Sequence, residues 1–220
     1  NDLPFLRKFD TKIIVNACGS TIDEYVELAK VLNKLDIDGV ELNLSCPNVK
    51  AGCMAFGNTY EGVKEVTSRV RKVLDKPLIV KLTPNVTDIA SIAKAVEDAG
   101  ADGVSLINTL LGMKIDIEKR KPVLANNTGG LSGPAIKPVA VRMVYQVSQA
   151  VKIPILGMGG IVNGDDAIEF MLAGATAISI GAGNFIDPYT SVNTVKQIEE
   201  YMEKHKIEDI NEIIGKVEMN

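Results

Sequence analysis

One short stretch carries most of the side chains that could do chemistry. In LNLSCPNVKAGCMAFG, residues 42–57, the thiol of Cys46 stands between the carboxamides of Asn43 and Asn48. Carboxamides offer paired donors and acceptors to a polar ring, and they cannot change charge. A loop cysteine can serve as a general base or a nucleophile once its thiolate is favoured, whereas an isolated cysteine is more often a buried structural residue. The stretch therefore indicates either a turn that caps a strand or a loop that binds a polar ligand.

A second candidate is a lysine near the end of an apolar run. Lys81 closes the segment PLIVK, residues 77–81, and a charge buried there is costly unless a partner compensates it. A ligand contact is therefore favoured over a solvated lysine. The amine could form a Schiff base with a carbonyl substrate, or its charge could stabilise an anionic cofactor. The residues alone do not separate these two roles.

The remaining reactive residues narrow the chemistry. His205 is the only histidine and stands in the charged segment YMEKHK, so we expect no histidine-based triad. Cys18 and Cys53 complete a set of three cysteines that forms neither a disulfide framework nor paired CxxC motifs. We therefore predict no metal site, and any proton transfer has to use a group other than histidine.

The composition bounds the class of protein. The 220 residues are 46% hydrophobic and carry a net charge of −4, with lysine and arginine scattered along the chain. Neither nucleic acid nor an anionic membrane is therefore an expected partner. No apolar run approaches the ~18 residues of a membrane span, and no signal-peptide pattern opens the chain. We predict one domain over residues 1–220, in a reducing compartment such as the cytoplasm.

Six short apolar, β-branched runs must position these residues. They alternate with amphipathic segments at helical spacing, such as residues 20–35 and 87–100. This alternation predicts an α/β fold with parallel strands and right-handed helical crossovers. The predicted strands lie at residues 12–19, 39–46, 77–84, 103–110, 154–160 and 177–183.

Both an open doubly wound sheet and a TIM (β/α)8 barrel fit this alternation. Polar, small or reactive residues stand at the C-terminal end of all six runs, which favours the barrel, because an open sheet concentrates its ligands at one switch point. A barrel of this type needs eight strands, and the sequence supplies about six βα units. We therefore predict a (β/α)8 barrel domain that is N-terminally incomplete in this chain by two strands.

Glycine-rich segments follow the last two runs, GMGG at residues 157–160 and GAGN at 181–184. In barrels these two loops commonly bind a phosphate, because glycine lets backbone N–H groups approach it and a helix N-terminus adds a favourable dipole. The alternative is that the glycines only relieve crowding at the strand ends. The barrel context favours the phosphate interpretation.

The motifs together resemble a known family. ELNLSCPNVKAGCMAFG, VKLTPNVTDI, INTLLGM, TGGLSGPAIKPVA, GMGGI and IGAGNF occur in the order and spacing of the dihydroorotate dehydrogenases. The residues after Cys46 are similar to the class 1B form, the catalytic subunit of the NAD-linked enzyme, rather than to the fumarate-linked class 1A form. The resemblance implies a flavin-dependent oxidation of dihydroorotate to orotate in de novo pyrimidine synthesis.

The resemblance also implies a role for each matching residue. FMN would lie at the C-terminal mouth of the barrel, with dihydroorotate stacked on it. Cys46 would remove the C5 proton while a hydride leaves C6 for the flavin, and Lys81 would stabilise the reduced, anionic ring. Substrate contacts are implied for Asn43, Asn48, Asn108 and Thr109. Further flavin contacts are implied for Asn16, Asn43, Ile107, Gly133, Gly159, Gly160, Gly181 and Ala182.

Partners and departures follow from the same resemblance. Electrons would reach NAD through a second subunit that carries FAD and an iron–sulfur cluster, with a homodimer of catalytic subunits inside a heterotetramer. Cys53 and Met54 stand where the family usually has a glycine and a polar or small residue. The family's first two strands, which carry flavin and substrate contacts, have no counterpart here. A chain without them is expected to hold only part of the site and to be inactive by itself.

Three other functions stay open at this point. One is a class 1A-like, fumarate-linked dihydroorotate dehydrogenase, and another is a Schiff-base lyase that uses Lys81. The third is a non-catalytic module that binds flavin or phosphate. A lysine adduct trapped with borohydride would favour the lyase, whereas a yellow protein with flavin absorbance would favour the oxidoreductase.

Overall fold

The computed structural model describes residues 2–45 and 56–220. Within these ranges a six-stranded parallel sheet is accompanied by two short antiparallel ladders. The strands are β1 (Ile14–Ala17), β2 (Gly39–Asn43), β3 (Leu78–Lys81), β4 (Gly103–Leu106), β5 (Leu110–Gly112), β6 (Ile115–Asp116), β7 (Lys121–Pro122), β8 (Gly129–Leu131), β9 (Ile155–Met158) and β10 (Ala177–Ser179). The α-helices are α1 (Leu3–Leu6), α2 (Ile22–Asn33), α3 (Tyr60–Arg71), α4 (Ile89–Asp98), α5 (Lys137–Ser148), α6 (Gly164–Leu172), α7 (Gly183–Ile186) and α8 (Thr190–His205).

The order of the strands decides between the two predicted architectures. Strands β1, β2, β3, β4, β9 and β10 are neighbours in the sheet in the same order as in the chain, and all of them are parallel. A doubly wound sheet would reverse its order at a switch point. A sheet that always advances in one direction keeps its crossover helices on one face, as a TIM barrel does. Each of the six predicted runs contains one of these strands, so the prediction of about six barrel units is confirmed.

The two faces of the sheet carry different residues because successive strand residues point to opposite faces. Val40 and Leu42 of β2 and Val80 of β3 are fully buried and belong to the main hydrophobic core. The alternate residue of β2, Glu41, and the last residue of β3, Lys81, are only half-buried. One face therefore packs against the helices, while the other presents polar side chains near the C-terminal ends of the strands.

Side-chain caps fix where the helices begin. Thr21, Thr59, Asp88 and Asn163 each accept a hydrogen bond from the backbone N–H three residues further on, at the starts of α2, α3, α4 and α6. Such a cap contributes about 1 kcal/mol to helix stability. Asp88 and Asn163 stand in the loops after β3 and β9, so these caps also order loops at the C-terminal edge of the sheet.

The segment between β4 and α5 contains structure that the sequence pattern does not predict. Strand β5 pairs with β8, and β6 pairs with β7, both in antiparallel register. Thr109 precedes this excursion and Ser132 follows it, and both residues line the cleft described below. The excursion therefore leaves and rejoins the barrel unit at the C-terminal edge of the sheet.

No helix in the part of the chain that the structure describes combines the length and the apolar character needed to cross a membrane.

Candidate functional site

A cleft of about 350 Å³ opens at the C-terminal ends of the parallel strands. Strand β3 contributes its last residue, the segment after β4 contributes three residues, and the rest come from the segment before α5, from the ends of β9 and β10 with the loops after them, and from α7. Nine of the residues implied by the sequence resemblance line this cleft: Lys81, Ile107, Asn108, Thr109, Gly133, Gly159, Gly160, Gly181 and Ala182. Ser132, Ile136, Ser179 and Phe185 also line it, and the sequence analysis did not identify them.

The glycines of the cleft serve two different purposes. A Cβ added at Gly159 would lie 3.0 Å from the Cβ of Ala140, and one at Gly160 would lie 2.8 Å from the carbonyl oxygen of Gly133. These two glycines also have positive φ angles of 127° and 89°. Both observations support the alternative that the glycines relieve crowding at the strand end. A Cβ at Gly133, whose φ of 82° itself favours glycine, or at Gly181 would instead meet nothing within 4 Å. There the missing side chain leaves the backbone open to a ligand.

Lys81 brings a positive charge to the cleft. Its side chain is half-buried at the end of β3 and lines the cavity. Within residues 2–45 and 56–220 it takes part in no ion pair, whereas Lys94 and Lys137 each contact two carboxylates. An ammonium group in this position can compensate a negative charge on a bound molecule.

Asn16 and Asn43 are not among the cleft-lining residues, but hydrogen bonds connect them to it. The Nδ2 of Asn43 donates to the Oδ1 of Asn16 over 3.3 Å, and the Oγ of Ser45 donates to the Oδ1 of Asn43 over 2.7 Å. The Nδ2 of Asn108 donates to the Oγ of Ser45 over 2.7 Å. The hydroxyl of the buried Tyr25 holds the backbone carbonyl of Asn43 at 2.7 Å. Three of the implied asparagines therefore form one connected network.

Asn85 ties two of the loops together, although the sequence analysis assigned it no role. Its Nδ2 donates to the backbone carbonyl of Thr109 over 3.1 Å, and its Oδ1 accepts from the backbone N–H of Leu111 over 3.0 Å. Its backbone N–H and its Nδ2 also donate to the Oγ1 of Thr83, each over 3.2 Å. The signal available in the sequence was the asparagine of VKLTPNVTDI, directly after a strand.

Glu41 is a second residue that the sequence analysis missed. Its Oε1 accepts a hydrogen bond from the Oγ of Ser105 over 2.6 Å, and its Oε2 accepts one from the Nδ2 of Asn16. Ser105 is completely buried. The carboxylate therefore links β1, β2 and β4 on the polar face of the sheet.

An ion-pair cluster supports the glycine-rich loop after β9. The Nζ of Lys137 contacts the Oδ1 of Asp166 at 2.7 Å and the Oε2 of Glu169 at 2.6 Å. The other oxygen of Asp166 accepts from the backbone N–H of Val162 over 2.9 Å. The hydrogen bonds from Asp166 and then Glu169 raise the pKa of Lys137 above its ordinary value. The cluster thus joins α5, α6 and the loop that lines the cleft.

Several residues singled out from the sequence lie elsewhere. Cys46, Asn48 and Cys53 lie outside the residues that the structure describes. Cys18 is exposed just after β1, and His205 is exposed at the end of α8. Among the described residues, no group of three or more histidine, cysteine, aspartate or glutamate side chains is placed to hold a metal ion.

Comparison with known proteins identifies the family. The family model described as dihydroorotate dehydrogenase matches residues 3–202. The catalytic subunit of dihydroorotate dehydrogenase B (NAD(+)) from Alkaliphilus metalliredigens is 60% identical over 214 residues, which cover 97% of this chain and 71% of that protein. Its counterpart from Porphyromonas gingivalis is 54% identical over 213 residues, which cover 96% of this chain and 69% of that protein.

A solved structure supports the fold assignment. The crystal structure of DHODH from Eimeria tenella in complex with ferulenol superimposes with a TM-score of 0.76 at 22% sequence identity. The match covers 89% of this chain and 57% of that one, so the chain spans less than two thirds of the solved protein. The family match and the NAD-linked relatives confirm the resemblance that the motifs indicate: the chain belongs to the dihydroorotate dehydrogenase family.

Proposed function

We propose that this chain is the catalytic part of an NAD-linked dihydroorotate dehydrogenase, which oxidises dihydroorotate to orotate in pyrimidine synthesis. The observation that carries the proposal is the convergence of nine implied site residues on one cleft at the strand ends. Family membership and relatives named as catalytic subunits of the B type support the same reaction. The chemistry removes one proton and one hydride from adjacent ring carbons.

The side chains and backbone around the cleft fit FMN. FMN, when bound, supplies the hydride acceptor. The open backbone at Gly133 and Gly181 suits the close approach of a phosphate, and Ile107 offers an apolar contact for a flat ring. Lys81 places its charge where it would stabilise an anionic form of the cofactor. Each of these residues binds or orients the group, and none of them needs to react with it.

The carboxamide network suits a substrate ring with amide edges. Among contacts with described residues, the Oδ1 of Asn43 already accepts two hydrogen bonds from Ser45, but one N–H of its amide group remains available. Among the same described residues, the Nδ2 of Asn108 donates to the backbone carbonyl and to the Oγ of Ser45. Its Oδ1 accepts from the backbone N–H of Thr109 and can accept one more hydrogen bond. We propose that these groups, with Thr109 and Asn48, bind dihydroorotate.

Cys46 is the proposed base, on the strength of the sequence resemblance. It directly follows Ser45, which is buried and anchors the carboxamide network. A free thiol has a pKa of ~8.5, so part of the population is thiolate near neutral pH. The thiolate would take the C5 proton, and the hydride would leave from C6, which together convert dihydroorotate to orotate. Asn43 and Asn108 cannot take up the proton, because carboxamides do not titrate, and the carboxylate of Glu41 does not line the cleft.

We further propose that the electrons leave the chain for NAD. The acceptor would be a second subunit with FAD and an iron–sulfur cluster, and the catalytic subunits would form a homodimer within a heterotetramer in the cytoplasm. The name catalytic subunit in the relatives supports a partner of this kind. A fumarate-linked enzyme of the class 1A type remains the alternative for the electron acceptor.

The competing proposal is a Schiff-base lyase that uses Lys81. One preparation of the full-length protein separates the two reactions: its absorbance spectrum is recorded, and it is then treated with a small keto acid such as pyruvate and with borohydride and analysed by peptide mass spectrometry. We expect a flavin spectrum and an unmodified Lys81. A colourless protein with a substrate adduct on Lys81 would replace the oxidoreductase by the lyase.

A further inference from the structure

We propose that Glu41 is a positioning residue that sets the amide direction of Asn16 and thereby holds the amide of Asn43 in place for the substrate ring. The inference rests on the proposed function, because its consequence is measured on binding of the substrate ring. Glu41 itself does not line the cleft. It acts through Asn16 and, beyond Asn16, through Asn43.

The sheet register brings these three residues together. Asn16 of β1 stands opposite Glu41 of β2 in parallel register. Glu41 and Asn43 are two residues apart on the same strand, so their side chains point to the same face. Ser105, from β4, reaches the same carboxylate from the other side with its hydroxyl, at 2.6 Å.

An ionised carboxylate can accept hydrogen bonds but cannot donate them, so Glu41 determines which amide atom of Asn16 faces it. Asn16 must turn its Nδ2 towards Glu41, and it does so. Its Oδ1 is then left to face Asn43, which donates with its own Nδ2 over 3.3 Å. The Oδ1 of Asn43 is consequently turned towards Ser45, where it accepts from both the backbone N–H, at 3.1 Å, and the hydroxyl, at 2.7 Å.

The same order of donors and acceptors continues through Ser45 to Asn108, which lines the cleft. The hydroxyl of Ser45 donates to Asn43, so it can only accept from Asn108, whose Nδ2 lies 2.7 Å away. The Oδ1 of Asn108 then accepts from the backbone N–H of Thr109 over 2.7 Å. Glu41 therefore fixes the amide direction of Asn16 and with it the acceptor that Asn16 offers to Asn43, while the backbone N–H groups of Ser45 and Thr109, which can only donate, support the same order at Asn43 and Asn108. A glutamine at position 41 could donate to Asn16 and would permit a reversed Asn16, whose Nδ2 would then face the Nδ2 of Asn43 and remove the acceptor that Asn43 uses.

The experiment compares variants of the full-length, flavin-loaded protein. Glu41→Gln keeps the size of the side chain but lets it donate, so we expect the KM for dihydroorotate and the Kd for orotate to rise roughly tenfold. The kcat of the flavin-loaded protein and the melting temperature should change little. Ser105→Ala removes one donor without allowing a reversal, so it should raise KM much less. Glu65→Gln, an exposed change on α3, is the matched control.

Two results would overturn the proposal. The first is a Glu41→Gln variant whose KM for dihydroorotate and affinity for orotate equal those of a normally active wild type. The other is an equal rise in KM in Ser105→Ala and Glu41→Gln, because that would assign the effect to lost packing instead of lost direction. Wild-type protein that neither oxidises dihydroorotate nor binds orotate would refute the proposed function itself, and this role with it.

Discussion

At the scale of single residues, the cleft separates charge from hydrogen bonding. Among the described residues that line it, Lys81 supplies the positive charge, while Asn108 and Thr109 supply neutral polar contacts. Asn43 reaches the cleft through Ser45 without bringing a charge of its own. This division leaves the transfer of a proton to a residue that can titrate, which we propose to be Cys46.

The first prediction concerns that base. Cys46→Ser should retain flavin but slow its reduction by dihydroorotate roughly a hundredfold or more at pH 7, because a hydroxyl is a far weaker acid than a thiol. The rate should recover as the pH rises. Rapid-mixing measurements of flavin bleaching across the pH range test both statements. Cys53→Ala is the control and should react nearly as fast as the wild type. Wild-type rates in Cys46→Ser at pH 7 would eliminate Cys46 as the base.

The second prediction concerns Lys81. Lys81→Ala should weaken FMN retention and lower the reduction potential of the bound flavin, because the reduced anion loses its counter-charge. A spectroelectrochemical titration measures the potential, and ultrafiltration measures the retained flavin. Lys196→Ala, an exposed change on α8, should alter neither quantity. An unchanged potential with normal flavin content would exclude Lys81 from the cofactor site.

At the scale of elements, the sequence predicts what depends on local pattern. Each of the six apolar runs contains a strand, because β-branched residues in a sheet covered by helices leave a clear signal. Strands β6 and β7 are only two residues long and largely exposed. They are too short to show the alternation of apolar and polar residues that would indicate a strand. The strand in the predicted run at 103–110 also ends early, at Leu106, and residues 107–109 of that run line the cleft.

The role of Glu41 could not be read from the sequence for a different reason. A single glutamate in GVELN indicates only that the strand has a polar face. Its meaning depends on register, which places Asn16 opposite it on a strand that is 25 residues away in the chain. Pairing between strands is a tertiary property, so the network that orients the asparagines emerges only from the fold. The asparagines themselves were recognisable because they stand at strand ends in known motifs.

A third prediction belongs to the ion-pair cluster that joins α5, α6 and the loop after β9. Lys137→Met should lower the free energy of unfolding by about 1–2 kcal/mol near pH 8, since it removes a charged hydrogen bond to the nearly buried Asp166. It should also weaken flavin retention, because Asp166 holds the backbone N–H of Val162. Urea unfolding and flavin content are the measurements. Unchanged values of both would show that the cluster does not support the loop.

The pH dependence of this effect follows from the raised pKa of Lys137. A raised pKa in the folded state means that the stabilisation is complete below the ordinary value of 10.5 and is lost as the pH rises through the raised value. The difference between wild type and Lys137→Met should therefore be constant up to about pH 10 and shrink above it. Lys94→Met is the matched control, because Lys94 also contacts two carboxylates but lies on the surface of α4. Solvent screening should make its loss smaller.

At the scale of the whole molecule, the sheet divides the site into two walls. Strands β1 to β4 and the segment directly after β4 carry the asparagines, Glu41 and Lys81, while the segments after β8, β9 and β10 carry the open and the crowded glycines. Strands β4 and β9 are hydrogen-bonded neighbours, so the two walls meet directly. The barrel architecture thereby places the carboxamides that we propose for the substrate next to the glycine-rich loops that we propose for the cofactor.

A fourth prediction concerns the electron acceptor. The sequence has no GxGxxG pattern after a strand with an acidic residue about 20 positions on, which a dinucleotide-binding fold would show. The intact catalytic subunit alone should therefore reduce artificial dyes with dihydroorotate but hardly reduce NAD. Addition of the electron-transfer subunit should restore NAD reduction. Efficient turnover with fumarate, or strong NAD reduction by the isolated subunit, would reject the NAD-linked assignment while leaving the flavin site intact.

The central claim is that this cleft holds a flavin that dihydroorotate reduces. The most direct test is an anaerobic titration of the purified full-length protein with dihydroorotate, followed by flavin absorbance and by product analysis. We expect a yellow protein whose flavin bands bleach as orotate forms, with one orotate for each flavin reduced. A folded protein without flavin, or a bound flavin whose absorbance dihydroorotate leaves unchanged, would contradict it.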